Sequence, residues 1–518
     1  VNANASGSQQ RRCGVLLHPT SLPGRGYCGD FGTDARRFID LMASAGLQIW
    51  QVLPLGPTHP DGCPYQSFSV HAGSPDLIDL QWLVERGWLS RQQALRGLAD
   101  RDAKRAALDL ASKVFFAQLE SGPDSPVVEA YQAFLESAGF WLEDYVRFHA
   151  FRQSQQQRSW VEWPQGLRDR DQGVCDALAT RLDPHIRQLR FRQFVFDCQW
   201  RELRDYANRR GVMLFGDIPI YVHFESADVW AHQGMFDLDE VGRPVTVTGV
   251  PPDYFCAEGQ LWGNPQYNWA RMRETGFDWW LHRFESAARQ FDIARIDHFR
   301  ALQAYWEIPA GAVSAREGHW VEAPGRELLQ AVRHHYPELK LVAENLGSIT
   351  AEVEALRKEF RLPGMLILQF AFDGNPDNPY LSHMHQGGDI VYTGTHDNDT
   401  TLGWFESLDG ATRERVYAYF GNPPEAMPWM LIRQAASSVA NTAIIPWQDF
   451  LGLDGRHRMN TPGTTEGNWR WRFDWSQVPP GLAGEIRDLL ASSHRSPPGP
   501  ARVSAPADRG QGRIHEAS

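Results

Sequence analysis

The chain has 518 residues, 42% of them hydrophobic, which is ample for a large buried core carried by one domain with insertions or by several domains. A formal net charge of −12, from 51 basic and 63 acidic residues with no long basic run, argues against nucleic acid and for a neutral partner. The six cysteines include no CxxC pair, and no segment approaches the roughly 18 consecutive apolar residues of a membrane span.

The chain opens on VNANASGSQQRR, which lacks the apolar core of a signal peptide; with cysteines that read as reduced thiols, this makes the cytoplasm the expected compartment. Eight short β-rich apolar runs ending in polar or Gly/Pro turns follow in order. They are residues 14–18, 49–54, 212–217, 293–297, 340–344, 365–370, 390–394 and 443–447. Helical patterns separate most of them. Thr33 to Ala45 places Phe38, Ile39, Leu41 and Met42 along one stretch, and Thr350 to Phe360 spaces Val353, Leu356 and Phe360 at helical intervals. Near-continuous apolar strands alternating with helices predict a covered parallel sheet, and eight such units predict a (β/α)8 TIM barrel of the α/β class.

Two gaps between strands exceed what one helix and two loops need, so inserted subdomains are expected. The predicted organisation is a barrel start at 12–79, a helical insertion at 80–190, a return to the barrel at 191–222, and an irregular insertion with a covering loop at 223–275. The rest of the barrel then occupies 276–492, and a Pro-, Gly- and Ser-rich tail at 493–518 reads as disordered. The 20 tryptophans, several beside Gly, Asp or Asn, could offer flat faces to sugar rings, although most such rings pack cores.

Asp297, Glu344 and Asp397 follow three different predicted strands and therefore face one mouth at the carboxyl end of the barrel. Cleaving a glycosidic bond needs one ionised carboxyl group and one protonated one, and a third can hold sugar hydroxyls. Arg295 lies two residues before Asp297, on the same face of the strand, where it is expected to keep Asp297 ionised. Asp217 is expected to orient Arg295, while His298 and His396 flank two of the acids and could bond sugar hydroxyls. Strand-end acids can also cap helices or pair with arginines, and histidines can be purely structural.

The segments Ala294 to Arg300, Ala343 to Gly347 and Thr395 to Thr400 resemble the signature blocks of the 4-α-glucanotransferases known as amylomaltases or disproportionating enzymes, glycoside hydrolase family 77. The resemblance extends through Ser21–Gly24, Pro64–Ser67, Gly216–Pro219, Gly249–Phe255, Gln260–Pro265 and Gly467–Trp469, over about residues 12–475. It implies a retaining transferase of α-1,4-glucans and maltooligosaccharides that uses no metal or other cofactor. Asp297 then matches the nucleophile, Glu344 the general acid/base and Asp397 the stabiliser of the transition state. Tyr65, Arg295, His396, Gln260, Trp262, Asp217 and Asp373 match positions that hold substrate or brace the site, and Tyr254 and Phe255 belong to the covering loop. Cys63 stands where many members of the family carry Ser. The alternatives from the residues alone are an α-amylase-type hydrolase, an inactive glucan-binding barrel and a metal hydrolase using His298 and His396. The last lacks the close histidine pairing such sites show.

Overall fold

A computed structural model describes residues 11–122, 125–252 and 258–497. All eight expected strands form, as β1 Arg12–Leu16, β2 Ile49–Gln51, β3 Met213–Ile218, β6 Ile293–Ile296, β9 Lys340–Ala343, β10 Met365–Ile367, β11 Ile390–Tyr392 and β12 Thr442–Pro446. They pair in parallel in the order β10-β11-β12-β1-β2-β3-β6-β9. The turn from β9 back to β10 is bridged by Ala343 N–H donating to Pro363 O at 2.9 Å and Met365 N–H donating to Asn345 Oδ1 at 2.8 Å. The sheet is thus a nearly closed TIM barrel.

Alternation along the strands builds two layers. Leu16, Ile49, Phe215, Ile293, Val342, Met365, Ile367, Ile390 and Ile444 form one apolar cluster with contributions from every barrel strand, which identifies the filled interior. Val15, Trp50, Leu214, Ala294, Ala343, Val391 and Ala443, on the opposite face, pack instead with helix residues. Among these is the helix Thr33–Ala45, which buries Ala35, Phe38, Ile39 and Met42 at a 3-4 spacing and ends at Gly46 with φ +79°. Strand and helix approach closely: a Cβ on Gly216 would lie 2.2 Å from the Phe291 ring, so glycine is required there.

Residues 80–181 hold helices only, from Leu80–Glu85 to Gln172–Arg181. The 27-residue helix Asp183–Arg209 packs on the helices Arg101–Ser121 and Leu142–Ser154 and then runs on to touch β3. A subdomain boundary at 190 therefore falls inside one continuous helix, because a single hydrophobic stripe serves both insertion and barrel.

The segment expected to be irregular, 223–275, contains β4 Thr246–Val250 and β5 Gln260–Pro265. These join β7 Ala304–Pro309 and β8 His319–Glu322 in an antiparallel sheet ordered β5-β4-β7-β8. The expectation of irregular structure is corrected: two βα loops, after adjacent β3 and β6, satisfy each other's backbone groups across space. The expectation of a tail from 493 is corrected at its start. Ser493 and Arg495 are buried, Arg495 at 0% exposure, and the expected disorder from 498 lies outside the described residues. Among the described residues no helix is long and apolar enough to cross a membrane.

Candidate active site

Above the apolar interior, one further step of two residues along six of the eight strands brings polar side chains onto the same face. Phe215 is followed by Asp217, Ile293 by Arg295 and Asp297, Val342 by Glu344, Ile49 by Gln51, Ile390 by Tyr392, and Leu16 by His18. The period-2 rule thus sets a charged layer on an apolar floor at the carboxyl end of the barrel.

Arg295 is the hub. Its Nε and Nη2 donate to the two oxygens of Asp217 at 2.9 and 2.8 Å, and Nη2 also donates to Asp297 Oδ1 at 2.7 Å and to Tyr65 Oη at 3.2 Å. Tyr65 donates to Asp217 Oδ2 at 2.7 Å and lies 2.9 Å from His396 Nε2, its ring stacked on the imidazole at 5.3 Å. Asp217 therefore orients Arg295, and the two expected braces, Tyr65 and His396, meet the same cluster. His396 Nε2 stands 3.4 Å from Asp397 Oδ2. Glu344 accepts the backbone N–H groups of His298 at 2.6 Å and Leu346 at 3.1 Å. His298 has φ +45°, and that left-handed turn points its N–H back at the carboxylate.

The ionisation of these groups follows from crowding in a partly dry bowl. Burial pushes the Asp297 carboxyl well up; Arg295 opposes this, while Asp217, Glu344 and Asp397 add to it. The guanidinium thus acts on Asp297 in the direction of the charged form, while it is shared with Asp217 and opposed by burial. Burial likewise raises Glu344, with Arg295 and the two backbone N–H bonds opposing. The two acids also act on each other, the charge of Glu344 raising Asp297. The contacts of the two acids differ: Asp297 meets the Arg295 guanidinium at 2.7 Å, while Glu344 receives two backbone N–H groups.

The other predicted residues fall in several places. Trp262, on β5, sets its ring edge-on to His298 at 4.9 Å and donates from Nε1 to Gln260 Oε1 at 3.1 Å. Both therefore stand on the small sheet beside the bowl. Asp373 is exposed, accepts Asn375 N–H at 2.9 Å in a local turn, and has no bond to the cluster. Tyr254 and Phe255 lie outside the described residues. Cys63 is partly buried, and burial pushes its thiol up to about 11, so it is a neutral SH. His298 is pushed down to about 3 by burial and is a neutral imidazole. Among the described residues no three His, Cys, Asp or Glu side chains are grouped to hold a metal ion.

Sequence reasoning missed Asn460, whose Nδ2 donates to Asp397 Oδ1 at 2.7 Å from the segment after β12. It also missed His18, at the end of β1, which burial and His396 push down to about 3. A search of strand ends for any polar residue, rather than for acids alone, would have found His18; nothing local marks Asn460.

A family model described as 4-alpha-glucanotransferase matches residues 17–477. The chain is 44% identical to a 4-alpha-glucanotransferase of Synechocystis sp. over 487 residues, 92% of this chain and 96% of that one. It is 43% identical to a 4-alpha-glucanotransferase of Thermus thermophilus over 495 residues, 94% of this chain and 99% of that one. Among solved structures it is similar to the amylomaltase of Streptococcus agalactiae in complex with acarbose, with TM-score 0.89, 33% identity, and coverage of 94% of this chain and 100% of the other.

Proposed function

The chain belongs to the 4-alpha-glucanotransferase family, its activity is the transfer of α-1,4-glucan segments between chains, and from that premise we propose how its residues divide the work. Asp297 is the nucleophile, Glu344 the general acid and base, and Asp397 the group that holds the distorted sugar. The observation that carries this division is the direct contact of Arg295 with Asp297, where Glu344 has only two backbone N–H donors and burial favours its protonated form.

In the first half-reaction Asp297 attacks the anomeric carbon, the glycosidic C–O bond breaks, and Glu344 gives its proton to the departing 4-oxygen. In the second, Glu344 takes the proton of an acceptor's 4-hydroxyl, whose oxygen displaces Asp297 with net retention. Asp397, fixed by Asn460 and beside His396, is held ready for sugar hydroxyls. Gln260 and Trp262 extend the binding surface along the small sheet, Tyr254 and Phe255 cover the site, and Asp373 reaches substrate only where a bound glucan extends to the loop after β10. The proposal includes maltooligosaccharides as substrates, a cofactor-independent reaction, a cytoplasmic location, and the division into a barrel with insertions near 80–190 and 223–275. The alternative of an inactive glucan-binding barrel does not fit a bowl with acid and nucleophile arranged in this way.

The test is Glu344→Gln given an α-maltooligosyl fluoride, whose leaving group needs no proton. A glycosyl adduct should accumulate on the peptide that contains Asp297, while Asp297→Ala forms none and both variants lose transfer on maltotriose by about three orders of magnitude or more. An adduct on any other carboxylate, or a rate above about a tenth of wild type in either variant, would overturn the roles.

A further inference from the structure

A cavity of about 500 Å³ lies outside the barrel bowl, between the helical insertion and the loop that follows β2. Three helices bring arginines to its wall: Arg101 and Arg105 from Arg101–Ser121, Arg152 from Leu142–Ser154, and Arg192 from Asp183–Arg209. The acids in the wall are Asp76, Asp102 and Asp109, so this lining is one positive charge in excess inside a chain of net charge −12.

The four cations are not equally satisfied. Arg101 pairs with Asp76 at 2.6 Å and Arg192 with Asp109 at 2.5 Å. Arg105 reaches Asp102 at only 3.6 Å, and that carboxylate is 93% exposed. Arg152 has no carboxylate within ion-pair distance among the described residues; its Nη1 donates to Gln157 Oε1 at 2.5 Å, and the acid acting on it, Glu225, is itself bonded to Ser159 Oγ. Nε of Arg152, Nε of Arg192 and Nε2 of His149, all in the wall, are buried without a partner. Those atoms lie behind the cavity surface, and the groups that face the cavity as free donors are the guanidinium ends of Arg105 and Arg152. Gln153, Gln157 and Gln188 beside them can bond hydroxyl groups.

We propose that this cavity binds a phosphorylated sugar, with the phosphate between Arg105 and Arg152 and the sugar hydroxyls on the glutamines. The volume falls in the range of small-molecule sites, and a dianion suits two arginines that lack close acids. Arg101, in the same wall, donates to Thr58 Oγ1 at 3.2 Å and His59 O at 3.4 Å, which ties the cavity to the loop that carries Tyr65. The site is thus linked by covalent chain to a residue that touches Asp217, Arg295 and His396.

The experiment titrates the full chain calorimetrically with glucose 6-phosphate, inorganic phosphate and glucose. Glucose 6-phosphate should bind with a Kd below about 1 mM, more tightly than either part, and Arg152→Gln or Arg105→Gln should weaken it about tenfold or more while maltotriose transfer without the ligand stays unchanged. Arg105 is half exposed, so its variant keeps the test valid if Arg152→Gln folds poorly. Glucose binding as tightly as its phosphate, equal affinity in both variants, or no binding up to about 10 mM would each overturn the proposal. Inorganic phosphate binding as tightly as the sugar phosphate would overturn the assignment of the sugar.

Discussion

At the residue scale, the roles proposed for Asp297 and Glu344 predict how activity responds to pH. Both carboxyl groups are raised by burial. A nucleophile is lost as pH falls through its folded value, and a general acid is lost as pH rises through its own. The acid and alkaline limbs of kcat/KM on maltotriose should therefore both lie above where ordinary carboxylates would put them, and they belong to the pair. Glu344→Gln acting on a glycosyl fluoride should lose the alkaline limb, because no proton is donated. Its acid limb should also move down, because one neighbouring carboxylate that raises Asp297 is gone. An alkaline limb that survives this substitution would assign the acid to another group.

At the element scale, the small sheet decides what stands beside the bowl. β4 and β5 enclose the chain segment with the covering-loop residues, and β5 carries Trp262 to within 4.9 Å of His298, next to Asp297. Replacing Tyr254 and Phe255 together with Ala removes two aromatic faces and no acid. The ratio of hydrolysis to disproportionation on one oligosaccharide should then rise, because water competes better with an acceptor for the glycosyl-enzyme. Equal falls in both rates would make the pair a uniform binding contact and move the exclusion of water to Trp262. The four strands of this sheet were not legible in the sequence: β8 is three-quarters exposed polar or aromatic residues, and β5 has no apolar alternation. The β4–β7 pairing that joins the two hairpins into one sheet spans about 60 residues, from Thr246 to Pro309 and Gly249 to Trp306, which no local pattern encodes.

At the scale of the whole molecule, Arg495 ties the chain's last described turn to the floor of the barrel. It is fully buried and donates to the carbonyls of Ala436, Arg12, Asn441, Ser438 and Ala440 at 2.6 to 3.1 Å, while Gln48 donates back to Arg495 O at 2.9 Å. These carbonyls surround the starts of β1 and β12, so a single guanidinium satisfies the bottom of two barrel strands. Arg495→Met should remove five charge-assisted hydrogen bonds from these carbonyls and destabilise the fold by about 2–4 kcal/mol, seen as a lower midpoint of thermal unfolding at fixed scan rate. A chain ending at Ser493 should show a similar fall and one ending at Pro497 none. An unchanged midpoint for Arg495→Met would make the clasp incidental.

By itself the sequence determined the eight barrel strands and the three acids at their carboxyl ends. An apolar run with period 2 and a terminal polar residue is a local signal, and the step from Phe215 to Asp217 or from Val342 to Glu344 repeats it on successive strands. Only the tertiary structure decided which carboxylates share Arg295, that Asn460 holds Asp397, that Arg495 is buried rather than part of a loose tail, and that four arginines from three helices line one cavity. The physical reason is that desolvation, hydrogen bonding and charge coupling depend on separation through space. Residues remote along the chain acquire those separations only when the barrel closes and the insertions pack against it.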